Sequence, residues 1–258
     1  MTTTSEAARR LLAAALAAAA LWPVAYLLHA ALPVLGEGDW LAHFASTTLA
    51  WQAGNSLWIA AMAALVAFAA GAVPALLVAR FSLPGRGLVV LWALLPLLFA
   101  PSVTASTWMV VSSADLFVSR LALAFHLGWA CSPYVFVIFR VAASRMPGAY
   151  GEMAAALGLG WRQRLWRVHV PAYAVPTAAG LLIVFAQSLG DYAAAERLGI
   201  QTLSVGIHNL WLGSQSSQVA AIVSTVLTLP TLLLVVVAAW VSTTLISQNP
   251  VAAAAAAA

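Results

Sequence analysis

Apolar residues run through this chain in long stretches, and polar residues gather at the breaks between them. No charged residue falls within 11–36, 40–79, 87–114, 121–139, 168–190 or 198–258. About 20 apolar residues cross the hydrocarbon core of a bilayer as a helix. Backbone in lipid must satisfy its own hydrogen bonds, so runs of this kind are read as helices rather than open strands. Trimmed at polar and turn residues, the spans become 11–33, 55–79, 88–111, 120–143, 176–196 and 219–246. The pattern predicts an all-α, polytopic membrane protein with six transmembrane helices. The first span follows Arg9 and Arg10, as a signal peptide would, but its apolar run exceeds the about 7–15 residues of a signal core. It also carries Trp22 and Tyr26 near its far end. An uncleaved anchor is the reading adopted.

Composition sharpens this picture. Of 258 residues, 64% are hydrophobic and 7% charged, against about 25% charged in a soluble domain. That excludes an ordinary soluble enzyme, and the apolar content excludes a disordered chain. All 11 basic residues are Arg. Without Lys there is no P-loop lysine, no Schiff-base lysine and no Ser-Lys dyad. One cysteine, Cys131, allows no internal disulfide and no Cys-based metal cluster. It reads as a packed small hydrophobe.

The Arg residues orient the bundle. Arg9, Arg10, Arg80, Arg86, Arg140, Arg145, Arg162, Arg164 and Arg167 fall on one side, and Arg120 and Arg197 on the other with Glu37, Asp39 and Asp115. By the positive-inside rule both termini and the 144–175 loop are cytoplasmic. Arg residues at membrane boundaries form no solvated patch for nucleic acid, so the net charge of +4 implies lipid contact and no nucleic-acid partner. The organisation expected is an N-terminal helix and periplasmic loop (1–49), a core (50–246), and a low-complexity tail (247–258) set apart from the fold.

The 144–175 loop is more than a connector. Pro147 and Gly148 break the chain, and Glu152 opens a short Ala-rich helix where a carboxylate suits the positive helix end. Gly158 and Gly160 permit a sharp turn. A second short helix places Trp161, Leu165 and Trp166 among Arg162, Arg164 and Arg167, and Pro171 is expected to stop it before the fifth span. Two readings stand on these residues. One is an amphipathic helix at the lipid interface. The other is a docking element for a cytoplasmic partner, favoured by the glycine break and by Ala154 and Ala155, which allow close approach.

The segment Glu152–Pro171 resembles the "EAA" loop of permease subunits in binding-protein-dependent ATP-binding-cassette importers. That pattern is Glu-Ala-Ala, three residues, Gly, nine residues, Ile-x-Leu-Pro. Glu152, Ala154, Gly158 and Pro171 match in register, with Met153, Val168 and Val170 as apolar replacements. Asn55-Ser-Leu, Ala79-Arg80-Phe-Ser-Leu-Pro84-Gly-Arg86 and Leu94-Leu-Pro96 with Pro101 are similar to the type I permease core, so the likeness covers about 50–246. The resemblance implies a type I importer permease fold in the bacterial inner membrane. It implies a second permease, identical or paralogous, two ATPase subunits and a periplasmic solute-binding protein. It also implies ATPase coupling through Glu152, Ala154, Ala155, Gly158, Trp161, Leu165 and Pro171, with Glu152 pairing with a nearby Arg. ATP and Mg would sit on the partner ATPase, this chain binding no cofactor and having no catalytic residue.

Ionisable residues inside a membrane are functional candidates. Gln187, Asp191 and Tyr192 at the end of span five read as lining the route or an outer gate. The alternative is interfacial solvation, or a structural pair of Asp191 with Arg197 or Arg120. The stretch 188–213 is most similar to the ferric-iron branch of type I permeases, with the polyamine, thiamine, phosphonate and sulfate branches close by. His29, His43, His126, His169 and His208 are scattered without ligand spacing, so no metal site is expected. Pro96, Pro101, Pro133 and Pro230 read as kinks, and the small residues from Ala60 to Ala75 as a close-packing face. A secondary transporter would need mid-membrane acids and inverted repeats. Asp191 and Glu196 are the only acid candidates, and no repeat is evident.

Overall fold

The structure, a computed structural model, describes residues 48–82, 84–111, 120–145 and 149–214, with 15, 18, 19, 22, 23, 25, 26, 28, 29, 32, 224, 225 and 228. The chain divides into two units: Met1–Ala50 with Gly206–Leu232, and Trp51–Val205 with Leu233–Ala258. In the first, the described positions between 15 and 32 are helical, and the His208 and Trp211 rings lie 6.0 Å apart. The predicted sixth span, 219–246, lies outside the described residues except for 224, 225 and 228.

The second unit is built on three long helices. Helix α1 runs Leu49–Arg80, 32 residues without an internal charge. Helix α2, Arg86–Leu94, passes into a tight turn at Leu95–Leu98, and α3 follows at Pro101–Val111. Helix α4 is Arg120–Arg145. After the short α5, Ala149–Ala156, and α6, Trp161–Arg164, a π-helical turn at Leu165–His169 leads into α7, Val170–Gly190. Helix α8 follows at Ala193–Arg197; α9, Leu203–Ser214, begins in this unit and continues past Val205 as part of the first. The helices α1, α4 and the continuous Trp161–Gly190 rod are long and apolar enough to span a membrane.

One predicted span is corrected. Residues 88–111 do not form a straight crossing: the pair Arg86–Leu98 and Pro101–Val110 is bent by 91°. Pro96 and Pro101 each remove a backbone donor, and Pro101 disfavours helical geometry at Ala100. The tight turn ends at Phe99, which is extended, at φ −119° and ψ 129°. Counting the bent pair as one crossing gives up to four spans among the described residues.

Small residues bring α1 and α4 together. A Cβ on Gly71 would lie 2.5 Å from the Ser132 carbonyl oxygen, and one on Gly128 2.6 Å from the Ala63 carbonyl oxygen. Each helix thus presents a glycine to the other's backbone, as close packing in membranes requires. Ala64, Ala67, Ala72 and Ala75 are buried along the same face of α1 against Cys131, Val135, Phe136 and Phe139 of α4. Phe139 meets Phe68 edge-on at 5.4 Å and stacks on Tyr173 of α7 at 5.8 Å. A second core joins Ile59 and Ala63 to Ala105, Leu123, Leu127, Ala194, Ala195 and Leu198. Cys131 is a buried free thiol in the first core, the packing role its sequence context suggested.

Candidate functional site

The 149–171 segment folds as two short helices joined by a capped turn. Helix α5 ends in a Schellman motif: the Gly158 N–H donates to the Ala155 carbonyl at 2.9 Å, and the Leu159 N–H to the Ala154 carbonyl at 3.1 Å. This geometry needs a left-handed residue, and Gly158 supplies it at φ +76°. A Cβ there would meet nothing within 4 Å, so backbone conformation, not crowding, selects the glycine. Gly160 then starts α6, its N–H donating to Gln163 Oε1 at 3.3 Å.

The loop presents an apolar face. Leu157, Trp161 and Trp166 are 79%, 67% and 68% exposed, and Met153 and Leu165 are exposed beside them. The Arg162 guanidinium lies over the Trp161 ring at 5.6 Å. Ala154 faces the other way and is buried, while Ala155 is exposed. Of the two alanines expected to admit a close surface, Ala155 is the one on the open side. Glu152 lies within α5; the Arg pairing expected of its side chain lies outside what is described.

The role expected of Pro171 is corrected. It does not stop the second short helix. The helix runs on through it to Gly190, so the rod begins at Trp161 rather than near Pro176. Proline in an α-helix lacks its N–H and clashes with the carbonyl four residues back. Here the preceding turn widens, with the Val170 N–H donating to the Leu165 carbonyl, five residues back. That π-turn absorbs the proline in place of a break.

At the opposite end of the bundle the rod stops sooner than predicted, at Gly190 rather than 196. Asp191 is extended, and its Oδ1 accepts the Ala194 N–H at 2.8 Å. The carboxylate thus helps cap α8, a structural role other than the pairing with Arg197 or Arg120 weighed from sequence. Tyr192 packs against the second core and bonds through its hydroxyl to Glu196. Gln187 is exposed on the last turn of α7. The three pathway candidates therefore share one end of the rod, with Asp191 and Tyr192 both engaged by α8.

A polar clamp at this end was not singled out in the sequence. Asn55 Nδ2 donates to the Gln201 carbonyl at 2.6 Å, and Arg120 Nη1 donates to Asn55 Oδ1 at 3.4 Å. Gln52 Nε2 donates to Gln201 Oε1 at 3.3 Å, and Ser56 Oγ accepts the Leu203 N–H at 2.8 Å. The Arg120 guanidinium lies 5.7 Å from the Trp58 ring centre. The signal was present: Gln52, Asn55 and Ser56 recur at three- and four-residue spacing, one face of an otherwise apolar helix. Nearby, His126 is fully buried, its Nε2 within 3.1 Å of Thr104 Oγ1 and 2.9 Å of the Pro101 carbonyl. Among the described residues no group of His, Cys, Asp or Glu could hold a metal ion.

Comparison with known proteins places this architecture. No curated protein sequence matches the chain. Among solved structures, the chain resembles a bacterial alginate ATP-binding-cassette transporter in complex with an alginate pentasaccharide-bound periplasmic protein. The TM-score is 0.65 at 17% identity, over 92% of this chain and 95% of that one. It likewise resembles a bacterial ATP-binding-cassette transporter involved in import of the acidic polysaccharide alginate, with TM-score 0.60 at 14% identity, over 93% of this chain and 96% of that one. Such likeness shows the type I importer permease fold. The family model for the inner membrane component of binding-protein-dependent transport systems matches residues 51–248 of the 258, and the chain belongs to that family.

Proposed function

We propose that this chain is a permease subunit of an ATP-driven importer in the bacterial inner membrane. It moves a solute handed over by a periplasmic binding protein, by alternating access. The observation that carries the reading is the exposed apolar face of Leu157, Trp161 and Trp166 on a Schellman-capped helix pair in register with the EAA pattern. The face fits the groove of an ATPase subunit, with Glu152, Ala155, Gly158, Trp161 and Leu165 as coupling residues. Ala154 is buried behind it, and Pro171 joins it to α7. A chain without Lys has no P-loop, so ATP and Mg belong to the partner motor. A second permease completes the path, with Gln187, Asp191 and Tyr192 near its outer end and both termini of this chain in the cytoplasm.

The cargo is a finer matter. The likeness of 188–213 to the ferric-iron branch rests on sequence alone and gains no support from the relatives found. The similar transporters handle alginate, but at 14–17% identity they share the fold alone. Reconstitution of this chain with its second permease, ATPase and binding protein in vesicles tests the reading. Uptake should require ATP and all partners, and uptake without the ATPase would overturn it. Titrating the binding protein with ferric iron and with alginate oligosaccharide assigns the cargo.

A further inference from the structure

Beside the coupling segment lies a cavity of about 780 Å³ between the second half of α1, Phe139 of α4 and the first half of α7. Its walls are almost wholly apolar, including Phe68, Leu76, Phe139 and Leu181. A polar solute has nothing to bond to there. The rim differs. Arg80 and His169 line one end, and Arg80 Nη2 donates to the Tyr173 hydroxyl at 3.3 Å. The charges of both Arg80 and Arg164 act on His169. An apolar trough with the Arg80 guanidinium and the His169 ring at one end matches a molecule with a hydrocarbon tail and an anionic head.

We propose that this cavity binds one anionic phospholipid of the leaflet on the Arg-rich side, with an acyl chain against Phe68, Phe139 and Leu181 and the phosphate at Arg80, beside His169. Its test does not depend on the solute. A lipid seated here touches Leu165 and Val170, which line the cavity on either side of the π-turn. It would therefore brace the junction of coupling loop and span.

The test uses the full chain in phosphatidylcholine vesicles doped with spin-labelled phosphatidylglycerol or, separately, spin-labelled phosphatidylcholine. A motionally restricted phosphatidylglycerol component is expected, preferred over phosphatidylcholine. Arg80→Gln should reduce that preference by about fivefold, the effect of one basic residue near an anionic surface. Ala178→Trp, which fills the trough, should abolish the restricted component. Both variants should insert and keep the helical circular dichroism of the parent. Equal retention of the two lipids would overturn the proposal, as would a restricted component indifferent to both variants. A third check uses Ala178→Cys in a Cys131→Ala background. Crosslinking between two copies through this cysteine would show that a second permease covers the trough, and would also overturn the proposal.

Discussion

Gly158 separates two demands that one residue meets. Its left-handed backbone would cost a residue with a Cβ about 1–2 kcal/mol, least for Asn or Asp, while the space beside it is open. Gly158→Asn should therefore retain most ATPase binding. Gly158→Val should lose it through the turn, and Gly158→Asp through a charge placed on the apolar face, all three inserting normally. Pull-down of the ATPase reads this directly, and wild-type capture by Gly158→Asp would remove the docking assignment. Asn55 offers a stability counterpart. It is buried and bonds both Gln201 and Arg120. Asn55→Ala should destabilise the fold by about 1–3 kcal/mol, seen as a lower thermal midpoint in tryptophan fluorescence. The exposed Gln187→Ala should change it by less than about 0.5 kcal/mol.

Among the elements, the π-turn at Leu165–His169 is where proline and helix reconcile. Pro171→Ala restores the missing N–H and lets the turn tighten to an α-helix. A one-residue change in register rotates the Trp161 face by about 100° relative to α7. Spin labels on Trp161→Cys and Gln187→Cys, with Cys131→Ala, should report the altered distance, and uptake should fall. An unchanged distance would mean the turn is held by packing rather than by the proline. Charge-free runs made α4 readable from sequence nearly to its ends and α1 from Asn55 rather than its start at Leu49, because membrane-spanning helices are fixed by length and apolarity. The bend at Leu98–Pro101 was hidden, because two prolines in an apolar run read equally as kinks or as a reversal. Pro171 misled for a related reason. A helix stop and a π-turn begin with the same residue, and only the packing of α5 and α7 around it decides between them. The candidate coupling loop was legible because its turn needs glycine at one place. The clamp around Gln201 was not, because its partners lie about 150 residues away in sequence.

For the whole molecule, the Arg-rich ends of α1 and α4 and the loop at 149–171 define one side, and the clamp and α8 the other. Ala155→Cys and Gln201→Cys, each with Cys131→Ala, should react with a membrane-impermeant maleimide from opposite sides: Ala155 in inverted vesicles, Gln201 in intact cells. Labelling of both from one side would overturn the topology. The unbroken Trp161–Gly190 rod has a mechanical consequence. Its 30 residues give a length of about 45 Å. Pivoted at its π-turn, the 21 residues of α7 form a stiff arm of about 32 Å, which converts a tilt of about 5° into a displacement of about 3 Å at the far tip. Gln187 rides on that tip and Asp191 adjoins it. On the proposed function, an ATPase that rocks the loop by a few degrees would need no relay of side chains to reach Gln187 and Asp191: the backbone would be the linkage.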